Sequence, residues 1–164
     1  MRVLGIDPGL ATLGWGVVDS GTTNPVFVAC GVVSTPARTP LQDRLLQIKT
    51  SLEELLATYR PDEIVFEELF FAKNVTTAFT VGAARGVAVA TCASFSPLLY
   101  EYTPMQIKQG ITGYGKADKA RVQQMVMLIL KLNDIPRPDD AADAVAAAIT
   151  HINTGLAKFQ FRMK

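Results

Sequence analysis

The sequence predicts an α/β domain built on one mixed sheet. Three observations lead there. Three β-rich segments follow one another at the N-terminus, and a long amphipathic stretch then separates them from a fourth apolar segment. The rest alternates one more β-rich run with helix-period sequence. At 164 residues the chain is long enough for one substantial core and too short for two. With 49% hydrophobic and 19% charged residues it is globular, not disordered.

The first strand is carried by Val3, Leu4 and Ile6 and ends on Asp7, directly before Pro8-Gly9. A carboxylate closing an apolar strand is costly unless its charge finds a partner, and a metal ion is one such partner. The Asp-Pro-Gly turn is the competing explanation. Leu13–Val18 resumes β-rich sequence, and Val26–Thr35 follows a Gly-Thr-Thr-Asn-Pro connector. These three runs predict an antiparallel meander, with Trp15 in or beside the core.

Thr39-Pro40-Leu41-Gln42 reads as a helix start with Thr39 as N-cap and Gln42 completing a capping box. Leu45, Ile48, Leu52, Leu55, Leu56 and Tyr59 recur at helical spacing until Arg60-Pro61-Asp62. Glu63–Glu68 is then a short strand closing on two adjacent carboxylates. Strand, helix, strand implies a crossover and parallel pairing beside the first strand. Asp7 would then meet Glu67 or Glu68 at one sheet edge. Alternation along the strand leaves that choice open.

Phe70–Asn74 is a loop with two aromatics and a cation. Val75–Phe95 predicts a helix rich in Gly and Ala, central to the core or half of a dimer contact. Pro97–Tyr102 is a further strand. Thr103-Pro104-Met105-Gln106 starts a short helix carrying Lys108, which Gly110–Gly115 should break. Lys116–Lys131 predicts a helix with Val122, Met125, Val126, Ile129 and Leu130 inward and Lys119, Gln123 and Gln124 outward. The last helix spans Asp139–Ile152, with His151 as a packing residue. Residues 1–155 form the predicted domain, and 156–164 a basic tail expected to fray.

The net charge of +1 hides an asymmetry. Residues 1–75 carry six Lys or Arg against nine Asp or Glu, and residues 76–164 carry ten against six. Lys108, Lys116, Lys119 and Arg121 crowd one short region. No apolar run reads as spanning a membrane, and the N-terminus lacks signal-peptide features. Cys30 and Cys92 lack metal or disulfide spacing and read as small hydrophobes. A soluble cytoplasmic protein is expected.

Asp140 and Asp143, three apart, share one helix face. Acidic residues near a helix start can simply offset the dipole, but Asp143 sits one turn in beside Ala141 and Ala142. A strand carboxylate, a second on the neighbouring strand and two on a late helix make a hard oxygen set suited to magnesium or manganese. Two ions about 4 Å apart in such a site activate a water and stabilise the leaving oxygen in phosphoryl displacement.

GIDPG, FEELFFAKN, QIKQGITGYGKADKARVQQMV and DDAADAVAAAITH together resemble the RuvC family of bacterial Holliday-junction resolvases, over nearly the whole chain to about His151. The resemblance implies a ribonuclease H-like fold: a mixed five-stranded sheet flanked by helices. It implies a homodimer that nicks two strands of a four-way DNA junction symmetrically in recombination and repair. Two Mg2+ per site are implied, with Mn2+ able to substitute, as are 5′-phosphate and 3′-hydroxyl products and the RuvA–RuvB branch-migration complex as partner. Asp7, Glu67, Asp140 and Asp143 match the catalytic metal ligands. The register of Phe70, Ala72, Lys73 and Asn74 selects Glu67 over Glu68. Lys108 and Lys119 match basic positions near the scissile phosphate, Lys119 as a catalytic group, and Phe70 an aromatic that stacks on opened bases. Lys73, Asn74, Lys116 and Arg121 are further expected DNA contacts. The loop GLATLGWG departs from commoner family versions, with Trp15 where Tyr is usual.

Other readings were open. An actin-like ATPase also follows a strand with Asp-x-Gly but needs two such domains. A non-catalytic junction-binding relative would not need all four carboxylates. Another ribonuclease H-like nuclease is less well matched by FFAKN and GYGKADK.

Overall fold

The computed structural model describes residues 1–69, 75–96 and 98–164. β1 (Arg2–Asp7), β2 (Thr12–Asp19) and β3 (Val26–Ser34) come first, then α1 (Leu41–Tyr59), β4 (Glu63–Glu67) and α2 (Val75–Phe95). β5 (Leu99–Tyr102), α3 (Pro104–Thr112), α4 (Lys119–Ile129) and α5 (Asp139–Thr154) follow, and a 3₁₀ helix spans Gly155–Phe161. The five strands form one sheet in the order β3-β2-β1-β4-β5. β1, β2 and β3 are the antiparallel meander, while β1–β4 and β4–β5 pair in parallel.

Alternation along the central strands divides the core. Val3 and Val65 face α3, α4 and α5, together with Tyr100 and Tyr102 from β5. Leu4, Ile6, Ile64 and Phe66 face α1 and α2, against Ile48, Leu52, Ala84 and Ala88. Both faces of the parallel half are covered, which is why β4 reads as an unbroken apolar run. α5 is buried along almost its whole length, and its alanines let it lie close on the strands.

Several element ends differ from the expectations. α1 is preceded by Pro40, with no side-chain cap, so the Thr39 capping box does not form. The equivalent device at Thr103 and Gln106 does form, with both reciprocal hydrogen bonds present. Gly110 does not break α3; the helix runs to Thr112 and closes at Gly113, whose φ of 75° is the left-handed region. α4 starts at Lys119, not Lys116, because Asp118 accepts the Arg121 N–H at 2.8 Å and caps it there.

The tail does not fray. The Met163 N–H donates to the Leu99 carbonyl at 2.9 Å, Phe161 stacks on Tyr102, and Lys158 pairs with the buried Glu63. A buried carboxylate that needed a cation holds the segment down.

α2 is long and apolar enough over Ala78–Phe95 to cross a membrane by those two measures, against the reading that no run reached that length. Ala84, Ala88 and Cys92 bury one face of it in the core with α1, and Arg85 pairs with Glu101, so it is a layer of the domain. Trp15 is half-buried against Tyr59.

Candidate active site

Asp7 ends β1 and Glu67 ends β4, and the parallel register runs through Ile6 and Phe66 immediately before them. Both carboxylates therefore emerge at the same edge. Glu67 follows Val65 onto the face covered by α5, whereas Phe66 points to α1 and α2. Strand alternation thus carries Glu68 away from that face, and Glu67 is the residue that joins Asp7.

α5 brings the other two acids. Asp140 and Asp143 lie in its first turns, and the helix crosses directly over β1 and β2. A Cβ on Gly5 would stand 1.9 Å from the Ala144 carbonyl oxygen, and one on Gly14 would stand 2.0 Å from that of Asp140. Only glycine permits such an approach. Gly14 is also the register partner of Asp7, so the same contact that seats α5 sets its acids over β1. One ligand oxygen each from Asp7, Asp140 and Asp143 lie within 4.8 Å of one another. Glu67 is outside that tight triangle and borders it.

The electrostatics reflect this crowding. Burial, with Asp143 and Asp140 adding to it, pushes the Asp7 carboxyl up to about 7. Burial, with Asp7 and Asp143 adding to it, pushes Glu67 up to about 8. Like charges held together in a low-dielectric edge resist ionisation unless a cation joins them. Lys119 supplies part of that cation: its Nζ lies 2.8 Å from Asp143 Oδ2, and although burial opposes it, Asp143 and Asp139 together raise its pKa.

A cleft of about 240 Å³ opens on this cluster, lined by Glu67, Lys108, Lys119 and Asp143 over a floor of Ile107, Val122 and Ala146. Acids and lysines lining one cleft suit an anionic substrate that reaches bound cations. Of the other expected contacts, Arg121 is exposed on α4. Lys116 lines a different, largely apolar cleft with Met105, Tyr114 and Phe161. The structure does not bring Lys116 into the acidic cleft. Phe70, Lys73 and Asn74 lie outside the described residues.

Sequence reasoning missed Asp139 and Gln123, which meet across α4 and α5 with a 3.0 Å hydrogen bond. Asp139 carries only the ordinary signature of a helix start, and Gln123 falls on the outward face of its predicted helix. It also missed Gly5 and Gly14, whose only signal was glycine inside β sequence.

The model of the family described as "Crossover junction endodeoxyribonuclease RuvC" matches residues 3–151. The Brevibacillus brevis protein of that name is 53% identical over 151 residues, covering 92% of this chain and 91% of its own length. The Finegoldia magna protein of that name is 48% identical over 164 residues, the full length of both. Among solved structures, T. thermophilus RuvC in complex with Holliday junction substrate matches with a TM-score of 0.88 and 37% identity, covering 98% of this chain and 94% of that one. The yeast mitochondrial Holliday junction resolvase shares the fold at a TM-score of 0.70 and 14% identity. The expected ribonuclease H-like architecture is the one observed.

Proposed function

The chain belongs to the RuvC family of crossover junction endodeoxyribonucleases, and from that premise we propose how its own residues cut a four-way DNA junction. The observation that carries the reading is the acidic triangle of Asp7, Asp140 and Asp143 beside Glu67, with Lys108 and Lys119 lining one cleft together with Glu67 and Asp143.

The donor set fits magnesium. It consists of hard carboxylate oxygens whose mutual repulsion the protein's own cations relieve only in part. Zinc is a poorer fit, since no histidine or cysteine lies among the described lining residues. Two Mg2+ ions held by Asp7, Glu67, Asp140 and Asp143 would supply an activated water and charge stabilisation at the leaving oxygen. Manganese suits the same oxygens.

The four acids would hold that centre, with Asp7 and Glu67 in their ionised forms. Lys119 and Lys108 neutralise the phosphate entering the cleft, where charge grows in the transition state. Hydrolysis breaks the P–O3′ bond and adds water across it, leaving a 5′-phosphate and a 3′-hydroxyl. Phe70 stacks on an opened base, while Lys73, Asn74, Lys116 and Arg121 hold flanking phosphates. Those five roles rest on the family resemblance.

Symmetric nicking needs two sites, and α2 supports a homodimer. Its outer face carries Phe79, 77% exposed, with Gly82 and Gly86, around whose Cβ positions no described residue lies within 4 Å. Small residues beside an exposed aromatic let a second copy of the helix approach closely. The proposal extends to the RuvA–RuvB complex as partner and to the cytoplasm as the place of work, both on the family resemblance.

The test offers the protein, with magnesium, a mobile four-way junction, a linear duplex, an RNA–DNA hybrid and ATP in turn. Paired, ligatable nicks in the junction alone are expected. Cleavage of the hybrid in preference to the junction would replace the reading with another ribonuclease H-like nuclease.

A further inference from the structure

Asp139 is not among the four acids assigned to the cations, yet it touches the lysine beside them. α4 and α5 run in opposite senses where they meet. Lys119 reaches Asp143, and Gln123, one turn on along α4, reaches Asp139, one turn back along α5. Lys119 Nζ lies 2.8 Å from Asp143 Oδ2 and 3.5 Å from Asp139 Oδ2. Asp139 Oδ1 accepts from Gln123 Nε2 at 3.0 Å. One ammonium is shared between two carboxylates, and a neutral amide fixes the outer one. An aspartate in the first turn of a helix ordinarily serves free N–H groups and the dipole. Both oxygens of Asp139 are instead engaged with α4.

This arrangement has a consequence for cation binding, given the proposal above that Asp143 is a metal ligand. An oxygen paired with an ammonium cannot offer the same electrons fully to a metal, and a lysine beside a dication is repelled by it. Lys119 holds only Oδ2 of Asp143, but a cation on that carboxylate would still repel the ammonium and disfavour the pairing. Pushed into solvent it would lose its partner; pushed onto Asp139 it keeps one and stays at the cleft mouth.

We propose that Asp139, held by Gln123, is a positioning residue that takes Lys119 over from Asp143 on cation binding. The hand-over lowers the cost of cation entry and leaves the ammonium beside the incoming phosphate. Asp139 itself touches neither substrate nor metal.

The experiment is a Mn2+ titration of the DNA-free protein, with free Mn2+ read by electron paramagnetic resonance, on wild type, Asp139→Asn, Lys119→Met and the double variant. Asp139→Asn should weaken Mn2+ binding by about twofold to fivefold, the scale of an exposed ion pair. Lys119→Met should bind Mn2+ more tightly than wild type, since the competitor is gone. Adding Asp139→Asn to Lys119→Met should change the affinity by less than about twofold, the mark of action through Lys119. Asp139→Glu should recover most of the wild-type affinity. An equal loss in both backgrounds would make Asp139 a nearby negative charge and overturn the hand-over, as would no loss in either. Wild type that takes up no Mn2+ would remove the metal site itself, a failure distinct from the other two.

Discussion

Gly14 of β2 lies directly under the backbone of Asp140 on α5, with only 2.0 Å between a notional Cβ and the Asp140 carbonyl oxygen. The neighbour is helix backbone, so no side-chain rearrangement can make room. Gly14→Ala must lift the first turn of α5 off the sheet, and with it Asp140 and Asp143. A loss of about 2–4 kcal/mol in urea unfolding is expected, at the upper end for overpacking. Cleavage per folded molecule should fall by about a hundredfold, the scale for displacing reacting groups by an ångström. Wild-type unfolding and cleavage in this variant would mean that the helix does not depend on this contact.

Asp7→Asn keeps the shape of the side chain and removes its charge from the triangle. Junction binding, measured by gel shift in calcium, should remain near wild type, while magnesium-dependent nicking should be lost. The lysines that meet phosphate are untouched, and binding should still weaken steeply with salt. Loss of binding together with cleavage would instead assign Asp7 to the fold.

The raised carboxyls fix a pH dependence for the metal-free protein. Asp7 at about 7 and Glu67 at about 8 stand well above the unfolded values near 4. Between those limits the folded chain binds more protons than the unfolded chain, so stability falls as pH rises through the window. From pH 5 to pH 8, in chelator, wild type should lose about 4–6 kcal/mol more than Asp7→Asn/Glu67→Gln in urea unfolding. Magnesium at pH 8 should restore much of that loss to wild type and little to the variant. A difference between the two proteins that stays constant with pH would contradict the electrostatic account.

Lys108 lines the acidic cleft from α3 without a part in the core. Lys108→Ala should slow junction cleavage by about tenfold to a hundredfold, as when a single charge stabiliser is lost. Its unfolding midpoint should stay within about 0.5 kcal/mol of wild type. An unchanged cleavage rate would remove Lys108 from the site.

What the sequence reveals follows the range over which its signals act. The meander, the crossover and the α5 helix were legible because periodicity is local, and Asp7, Asp140 and Asp143 because a carboxylate within apolar sequence is conspicuous. Glu67 and Glu68 were inseparable on residues alone, since β4 is buried on both faces and its alternation carries no polar mark. The resemblance selected Glu67, and the packing of Val65 and Phe66 on opposite faces gives the physical reason. The predicted start of α4 at Lys116 takes Asp118 in as a helical residue, because nothing in the local spacing marks it as the side chain that caps the Arg121 N–H. Contacts between distant segments left no trace: Gly14 with Asp140, Gln123 with Asp139, and Glu63 with His151 are pairings that no periodicity encodes.

The Glu63 pairing also explains why the tail is ordered, and it predicts a separation of stability from chemistry. His151 Nε2 lies 2.8 Å from Glu63 Oε2, and His151 Nδ1 lies 3.1 Å from the Tyr102 hydroxyl. Burial holds the His151 pKa below its usual value, so the ring is neutral at pH 7, with Nε2 donating to Glu63 and Nδ1 accepting from Tyr102. Lys158 donates to both Glu63 oxygens, at 2.6 and 2.7 Å, and these partners together outweigh burial to keep Glu63 ionised. Lys158→Met takes the cation from that carboxylate and leaves it facing a neutral histidine, a broken pair in a buried position. The expected cost is about 2–4 kcal/mol, just under the range for fully buried pairs. The Met163 amide, bonded to Leu99, should exchange with solvent far faster, while Mn2+ affinity and junction cleavage at low temperature stay at wild-type levels. The cluster sits about two helical turns from Asp143 along α5, roughly 12 Å at helical rise, so loss of cleavage in a folded Lys158→Met protein would mean that the tail and the acidic centre are coupled.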